Sequence, residues 1–460
     1  MKRFGIAVIL AAVGVPTLFQ LSEKVERRGQ PVFKVYVVGG KVGANCRGDK
    51  RDKIPASSED VWRGALWACE QDPQKLCMTP ESEDLRETDW RDLRLKIDRP
   101  KALFQLIPDN DCRDPDDAAN LALTLQKDPT VLAVIGHSTS RTTGRVAEIY
   151  AQAGIPLIMA EATAASAAAY TTRAGSPDIP QGHVPNYVRL QPSDDQAQAP
   201  AIAYTILQLL QDKNRVDKSR VYLLTGMEGN AGEYSKGLIE GVKRLLPRKV
   251  QTKEYSDERD QNASMAKMIF GANPIDVVFF AGYRDQAQEI LKTVNQEFGD
   301  RAADQRPVII LPEACNGLEI EMEWQAFRIY RTGPADTTAC FDRLRNDEGL
   351  KKWRSTEETD PLPISMLYGH DAVRLLSRAI IQCRDQHKEI TRGGVLEQLR
   401  ATVSSGACGG YSFREGENLL SSYYVFSSKA AEPLQPRAAA GSYEIAPVQI
   451  IRTQDVGAGK

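Results

Sequence analysis

Residues 109–164 read DNDCRDPDDAANLALTLQKDPTVLAVIGHSTSRTTGRVAEIYAQAGIPLIMAEATA. The apolar runs at 131–135 and 155–159 lie beside two amphipathic stretches, at 115–126 and 143–153. The apolar runs do not alternate with polar residues, which is typical of strands covered on both faces. The stretch therefore predicts strands and helices in alternation, with the strands parallel in one sheet.

The same alternation extends in both directions from this stretch. Further strands are predicted at 32–39, 102–107, 186–190, 220–225, 276–282, 307–311 and 422–426. Further helices are predicted at 58–70, 194–212, 232–246, 284–298, 339–354, 365–384 and 393–403. Two successive series of this kind predict an α/β protein with two doubly wound parallel-sheet lobes. A charged insertion at 71–100 is predicted to be a solvated surface excursion, with a partner-docking arm as the alternative.

The ends of the chain differ in composition from its middle. Lys2 and Arg3 precede an apolar run that ends near residue 21, and a charged stretch follows. This pattern predicts that residues 1–31 hold an export signal or a membrane anchor formed by residues 4–21; a first buried strand or helix is the alternative. Residues 431–460, rich in proline and alanine where they begin, are interpreted as a loosely ordered C-terminal extension.

Composition and charge exclude several classes of function. The 460 residues carry 59 Lys and Arg against 61 Asp and Glu, a formal charge of −2, and no basic cluster that would bind nucleic acid. The four histidines are scattered and no C-x-x-C pair exists, so no metal site and no cofactor are predicted.

The eight cysteines form an even set, which export would place in an oxidising compartment. Closeness in sequence favours two disulfides, Cys383 with Cys408 and Cys315 with Cys340. Buried thiols are the alternative for any of them.

Hydroxyl side chains follow the strand at 131–135. Residues 138–143, STSRTT, lie between its carboxyl end and a helix, so hydroxyls, backbone N–H groups and the positive helix terminus would face a bound anion, such as a carboxylate. Capping of the helix by these same residues is the alternative reading.

The order and spacing of several segments resemble the branched-chain amino-acid binding proteins, which are type I periplasmic binding proteins. The resemblance spans about residues 32–426 and rests on 109–164, quoted above, and on four further segments. These are SRVYLLTGMEGNAGEYSKGLIEGVKR (219–244), DVVFFAGYRDQAQEIL (276–291), LPEACNG (311–317) and LYGHDAVRLLSRAI (367–380). The resemblance implies two lobes joined by a three-strand hinge, with residues 32–189 plus 334–415 in lobe 1 and residues 190–333 plus 416–430 in lobe 2.

The same resemblance implies a ligand site between the lobes. Ser140, Ala162 and Thr163 fall where family members hold the ligand carboxylate. Tyr283 falls where an aromatic ring closes over the ligand, and Glu313 falls where a carboxylate pairs with the ligand's α-ammonium group.

The sequence departs from the family pattern at three site positions. Glu161 replaces a small residue, which brings a negative charge towards the pocket or out to solvent. Asn230 replaces an aromatic residue, and Thr139 replaces the cysteine that pairs with the counterpart of Cys112. We therefore expect an amino acid or similar compound without naming it.

These features predict an extracytoplasmic solute-binding protein, periplasmic or at the cell surface, that delivers its ligand to the permease of an ABC importer. Chain crossings near Leu190, Thr332 and Glu417 would act as the hinge. A membrane-anchored sensor domain of the same fold, signalling through a partner, is the alternative function.

An enzyme is the third hypothesis, because serines follow a strand and precede a helix. Residues 136–140, GHSTS, lack the second glycine of a G-x-S-x-G elbow, and spacing nominates no partner acid or base. The sequence therefore predicts that the protein is not an enzyme.

Overall fold

The computed structural model describes residues 33–39, 57–72, 74, 76–79, 103–137, 139–163, 186–212, 221–226, 229–246, 251–255, 276–300, 306–315, 327–333, 364–386, 389–407, 409–414, 416–418, 422–427 and 447–452. The apolar run at the N-terminus, residues 4–21, and the helix predicted at 339–354 lie outside these residues. Within the described part of the chain, no helix is both long enough and apolar enough to cross a membrane.

Six parallel strands form the first sheet, in the order β2-β3-β1-β4-β5-β6. They are β1 (Phe33–Val38), β2 (Cys77–Met78), β3 (Phe104–Asp109), β4 (Val131–Ile135), β5 (Leu157–Met159) and β6 (Tyr187–Arg189). Every residue of β4, β5 and β6 is buried, because helices cover both faces of the sheet.

Among the described residues, five helices pack on this first sheet. They are α1 (Ser57–Glu70), α2 (Pro115–Leu125), α3 (Ser140–Gln152), α7 (Ile364–Asp385) and α8 (Arg392–Ala401). The long C-terminal helix α7 packs on α1, although some three hundred residues separate them in sequence. Lobe 1 therefore contains a segment that follows most strands of the other lobe in the sequence.

The second sheet has seven strands in the order β16-β15-β11-β10-β9-β7-β8. They are β7 (Val221–Gly226), β8 (Gln251–Tyr255), β9 (Val277–Ala281), β10 (Val308–Leu311), β11 (Arg328–Gly333), β15 (Ser422–Ser427) and β16 (Pro447–Arg452). The first five are parallel, and β15 and β16 add to the edge in antiparallel pairing. Its helices are α4 (Ala199–Asp212), α5 (Gly229–Leu245) and α6 (Arg284–Phe298).

The predicted α/β fold with two parallel-sheet lobes is confirmed, but two of its details are wrong. The C-terminal extension is not wholly loose, because Pro447–Arg452 pairs with β15 as an edge strand. The insertion at 71–100 is not only a surface excursion, because Cys77–Met78 joins the edge of the first sheet next to β3.

The described elements change from one lobe to the other at three points along the chain. The chain leaves β6 for α4, leaves β11 for α7, and leaves a small third sheet for β15. That third sheet contains β12 (Val403–Ser405), β13 (Gly410–Arg414) and β14 (Glu417–Asn418). Asn418 fastens it to lobe 1 by donating its side-chain amide to the carbonyl of Leu190, 3.1 Å away. The residue bounds assigned to each lobe from the sequence remain a proposal.

The disulfide pairs predicted from closeness in sequence are wrong. Cys383 and Cys315 are buried thiols: Cys383, on α7, lies in the apolar core of lobe 1, and the Cys315 Sγ lies 3.4 Å from the carbonyl of Gly282. A disulfide joins Cys69 to Cys77, with 5.3 Å between the Cα atoms, and ties the end of α1 to β2. Cys112 is also disulfide-bonded.

Candidate functional site

The carboxyl end of β4 is shaped by a glycine and a buried histidine. Gly136 has φ of 127°, and a Cβ there would lie 2.2 Å from the carbonyl oxygen of Val38, so no other residue fits. The fully buried His137 ring lies between Asp111 Oδ2, at 2.7 Å, and Tyr150 Oη, at 3.1 Å. Burial alone would raise the pKa of Asp111, but hydrogen bonds from His137 and other donors hold that pKa below its ordinary value.

The N-terminus of α3 follows immediately. Thr139 is the N-cap, with its hydroxyl accepting from the Thr142 N–H at 3.1 Å, and the Thr143 hydroxyl donates to the Thr139 carbonyl at 2.7 Å. These threonine hydroxyls serve the helix itself, as the capping interpretation expected. Ser140, the first residue of α3, is half-buried at the same end of the sheet.

The carboxyl end of β5 supplies the second loop of lobe 1. Ala162 and Thr163 are buried there, and Glu161 precedes them. Burial raises the pKa of Glu161 to about 7, against the opposing effects of a hydrogen bond with Ser365 and the charge of Arg113. The Glu161 side chain therefore lies against the start of α7. The sequence had left it pointing either towards the pocket or out to solvent.

Lobe 2 contributes an aromatic ring and an acid. Tyr283, the N-cap of α6, stacks on Tyr234 of α5 with 5.5 Å between ring centroids. Glu313 begins a short 3-10 turn directly after β10, and its N–H donates to the side-chain oxygen of Gln198 at 3.0 Å. Burial, together with the charges of Asp194 and Glu313, raises the pKa of Tyr234 well above its ordinary value.

The two halves meet where the chain first crosses between lobes. The Asp194 N–H donates to the carbonyl of Thr163 at 2.8 Å, and the Asp194 carboxylate accepts from Gln198 at 2.7 Å. Gln198 in turn contacts Glu313 and Tyr234. Helix α3, which starts at Ser140, also contacts α5 of lobe 2. Thr163 and Glu313 are therefore linked at one junction through Asp194 and Gln198, and the roles of the predicted residues in binding remain a proposal.

Asn230 lies in the first turn of α5, next to the carboxyl end of β7. The described residues contain no cluster of three or more His, Cys, Asp or Glu side chains that could hold a metal ion.

Sequence reasoning missed the polar residues that build the junction. Arg189 and Gln198 are fully buried, and Asp194 is nearly so. Their signal was the polar run QPSDDQ at 191–196, which follows a buried strand directly and so lies at a sheet edge where a site can form.

No family model matches the chain, and a search of curated proteins found no significant match. Solved structures do match. The leucine-binding protein LivK of Thermotoga maritima has a TM-score of 0.62 at 18% identity, covering 92% of this chain and 100% of its own. The chain has the fold of the type I periplasmic binding proteins. The branched-chain amino-acid binding protein LivJ of Streptococcus pneumoniae, solved with isoleucine, has the same type I fold, with a TM-score of 0.59 at 17% identity over 91% of this chain and 100% of LivJ.

A third neighbour with the type I fold has a ligand of different chemistry. A solute-binding protein of an ABC transporter from Rhodopseudomonas palustris, in complex with p-hydroxybenzoic acid, gives a TM-score of 0.64 at 13% identity over 93% of this chain and 98% of its own. These three neighbours are described as a leucine-binding protein, a transporter substrate-binding protein and a solute-binding protein.

Proposed function

We propose that this protein captures a small, carboxylate-bearing solute, an amino acid or a similar compound, in the cleft between its two lobes. The carrying observation is the junction at which the carboxyl ends of both parallel sheets meet, because ligands of open α/β sheets gather beyond those ends. The leucine, isoleucine and hydroxybenzoate named for the neighbours share a carboxylate and little else.

Lobe 1 would hold the carboxylate. Ser140 lies in the first turn of α3, where backbone N–H groups and the helix dipole favour an anion. Ala162 and Thr163 lie on the neighbouring loop, and the Thr163 carbonyl is already bonded to Asp194 and Arg189. That bonding fixes the loop before a ligand arrives, which lowers the entropic cost of binding.

Lobe 2 would recognise the other end of the solute. Glu313 offers a carboxylate to an α-ammonium group, and Tyr283 offers a ring held in place by its stack on Tyr234. Rotation of the lobes about the three crossings would bring the two halves together and exclude water, which strengthens each polar contact.

The partner that this function implies is the membrane permease of an ABC importer. The protein itself would act on the outer side of the cytoplasmic membrane. Residues 1–31 would direct export, and residues 4–21 would either be removed or anchor the protein.

A thermal-shift screen tests the proposal directly. Purified full-length protein is heated with L-leucine, L-isoleucine, p-hydroxybenzoate, amides, polyamines and small organic acids. A true ligand at about a hundred times its dissociation constant stabilises the fold by roughly 2.7 kcal/mol. If none of the carboxylates raises the melting temperature while an uncharged or cationic compound does, the proposal is wrong.

Isothermal titration of variants then tests the predicted roles. Glu313→Gln should weaken binding of an α-amino acid by roughly a hundredfold, because an ammonium group is left unpaired in a dry cleft. Ser140→Ala should cost less, about tenfold or below, because backbone donors remain. Glu289→Gln, on α6 and paired with Lys292, is the matched control. An unchanged affinity in Glu313→Gln would show that the solute is not held as an amino acid.

A further inference from the structure

A buried arginine connects the ligand loop of lobe 1 to the third chain crossing. Arg189 is 0% exposed, and its Nη1 donates to the carbonyl of Thr163 at 2.7 Å. Its Nε lies 3.4 Å from Glu417 Oε1, and its backbone N–H donates to the carbonyl of Gly416 at 2.7 Å. The Tyr187 hydroxyl bonds the same carboxylate oxygen at 2.8 Å. One side chain thus spans from the loop at the end of β5 to the strand that leads to β15.

A buried glutamine has the corresponding position in lobe 2. The Gln198 side chain is 0% exposed, and its Oε1 accepts from the Glu313 N–H at 3.0 Å and from the Thr332 hydroxyl at 3.2 Å. Its Nε2 donates to Asp194 Oδ1 at 2.7 Å and to Tyr234 Oη at 3.1 Å. Gln198 therefore joins the first crossing, the second crossing and the turn that carries Glu313.

The two sets share one acceptor. The Thr163 carbonyl receives both the Arg189 guanidinium and the Asp194 N–H, the latter at 2.8 Å. These bonds form one connected set across the lobes, and we call seven of its members the hinge network. Its members are Thr163, Arg189, Asp194, Gln198, Glu313, Thr332 and Glu417.

We propose that the hinge network couples the three crossings to one another and to the two ligand loops, with Arg189 and Gln198 as its positioning residues. A role of the hinge network in closing the lobes on a ligand rests on the solute-binding function proposed above. Neither side chain needs to touch the ligand.

Burial is the physical reason for the coupling. Hydrogen bonds in a low-dielectric interior are strong, and a polar atom that loses its partner there is costly. A shift of one crossing alone would break bonds at Gln198, at Thr163 or at Arg189, so the crossings move together or not at all. Polar groups that only filled space would affect no more than their own neighbours.

Hydrogen exchange of ligand-free, full-length protein tests this coupling. The variant Gln198→Leu removes every hydrogen bond of the glutamine side chain. The reporter is the Arg189 N–H, which donates to the carbonyl of Gly416 and not to Gln198. We expect its exchange, read from peptides that cover residues 186–192 and so exclude Asp194, to accelerate about tenfold. The matched control is Gln398→Leu on α8, because Gln398 is also buried but its side chain pairs with Gln386. This control should leave the reporter unchanged.

The milder variant Thr332→Val keeps the side chain's shape and deletes one donor to Gln198, so it serves if Gln198→Leu does not fold. It should accelerate the same reporter by a smaller factor. Acceleration confined to the immediate neighbours of residue 198, with the Arg189 N–H as slow as in the wild type, would overturn the proposal. Since no solute is added, this outcome is independent of whether the protein binds an amino acid.

Discussion

Glu161 lies two residues after the end of β5, and its surroundings oppose ionisation of its carboxyl group. Burial raises its pKa to about 7 from an ordinary value of 4.5. Because the folded state holds the proton more tightly than the unfolded chain, the stability due to this group is complete below pH 4.5 and is lost as the pH rises through about 7. Above about pH 7 the folded protein contains an ionised Glu161 carboxylate in a buried position, which disfavours the charge.

Glu161→Gln should therefore stabilise the protein at pH 8 and leave it nearly unchanged at pH 4. The gain has an upper bound of about 3 kcal/mol, from the size of the pKa shift. Urea unfolding between pH 4 and pH 8 measures it, and Glu148→Gln on the exposed face of α3 is the control. Wild-type and Glu161→Gln curves that stay parallel over this range would contradict the assignment.

Single residues also show what the sequence could and could not predict. Thr163 and Glu313 were placed from their positions in a resemblance, and the structure brings both to the lobe junction through Asp194 and Gln198. Gln198 itself was missed, since a glutamine in an amphipathic stretch has the same sequence signature whether its face meets solvent or a buried network. Only tertiary packing distinguishes the two.

Helices α1 and α7 are in close contact at Gly64 of α1. A Cβ on Gly64 would lie 1.7 Å from the carbonyl oxygen of Met366, so the two backbones touch without a side chain between them. Gly64→Ala should force the helices apart and cost about 1–3 kcal/mol or more. Thermal unfolding measures the loss.

The control is Gly237→Ala in α5, where an added Cβ meets no atom within 4 Å. This substitution should stabilise the protein by about 0.5–1 kcal/mol, since alanine is the better helix former. If both substitutions change stability in the same direction and amount, the contact between α1 and α7 is looser than described.

Elements were predictable where burial made them uniformly apolar. Strand β4 and helix α6 begin and end at the predicted residues, because a covered strand and an amphipathic helix leave distinct patterns. Strand β8, QTKEY, was missed because its polar composition is unlike that of a covered strand, and it lies at the edge of the second sheet. The disulfide pairs failed because closeness along the chain does not imply closeness in space.

At the scale of the whole molecule, the two sheets have separate apolar cores. Phe104 belongs to the core of lobe 1 and Phe279 to that of lobe 2, and both are 0% exposed. The hinge network connects the lobes through polar atoms only, so it can align the crossings without merging the cores. Core damage in one lobe should therefore leave the strands of the other protected.

Phe104→Ala should cost about 3–5 kcal/mol, a large part of an ordinary domain's stability of about 5–15 kcal/mol. In hydrogen exchange under native conditions, the amides of β1 and β4 should then exchange about a hundredfold faster, whereas those of β9 and β10 should change by less than about threefold. Phe279→Ala is the reciprocal control. In this variant the amides of β9 and β10 should exchange faster, and those of β1 and β4 should change little. Equal acceleration of hydrogen exchange in both sheets by either variant would mean that the lobes unfold as one unit. Two separate cores could not then be the reason why the lobes move as two rigid bodies about the proposed hinge.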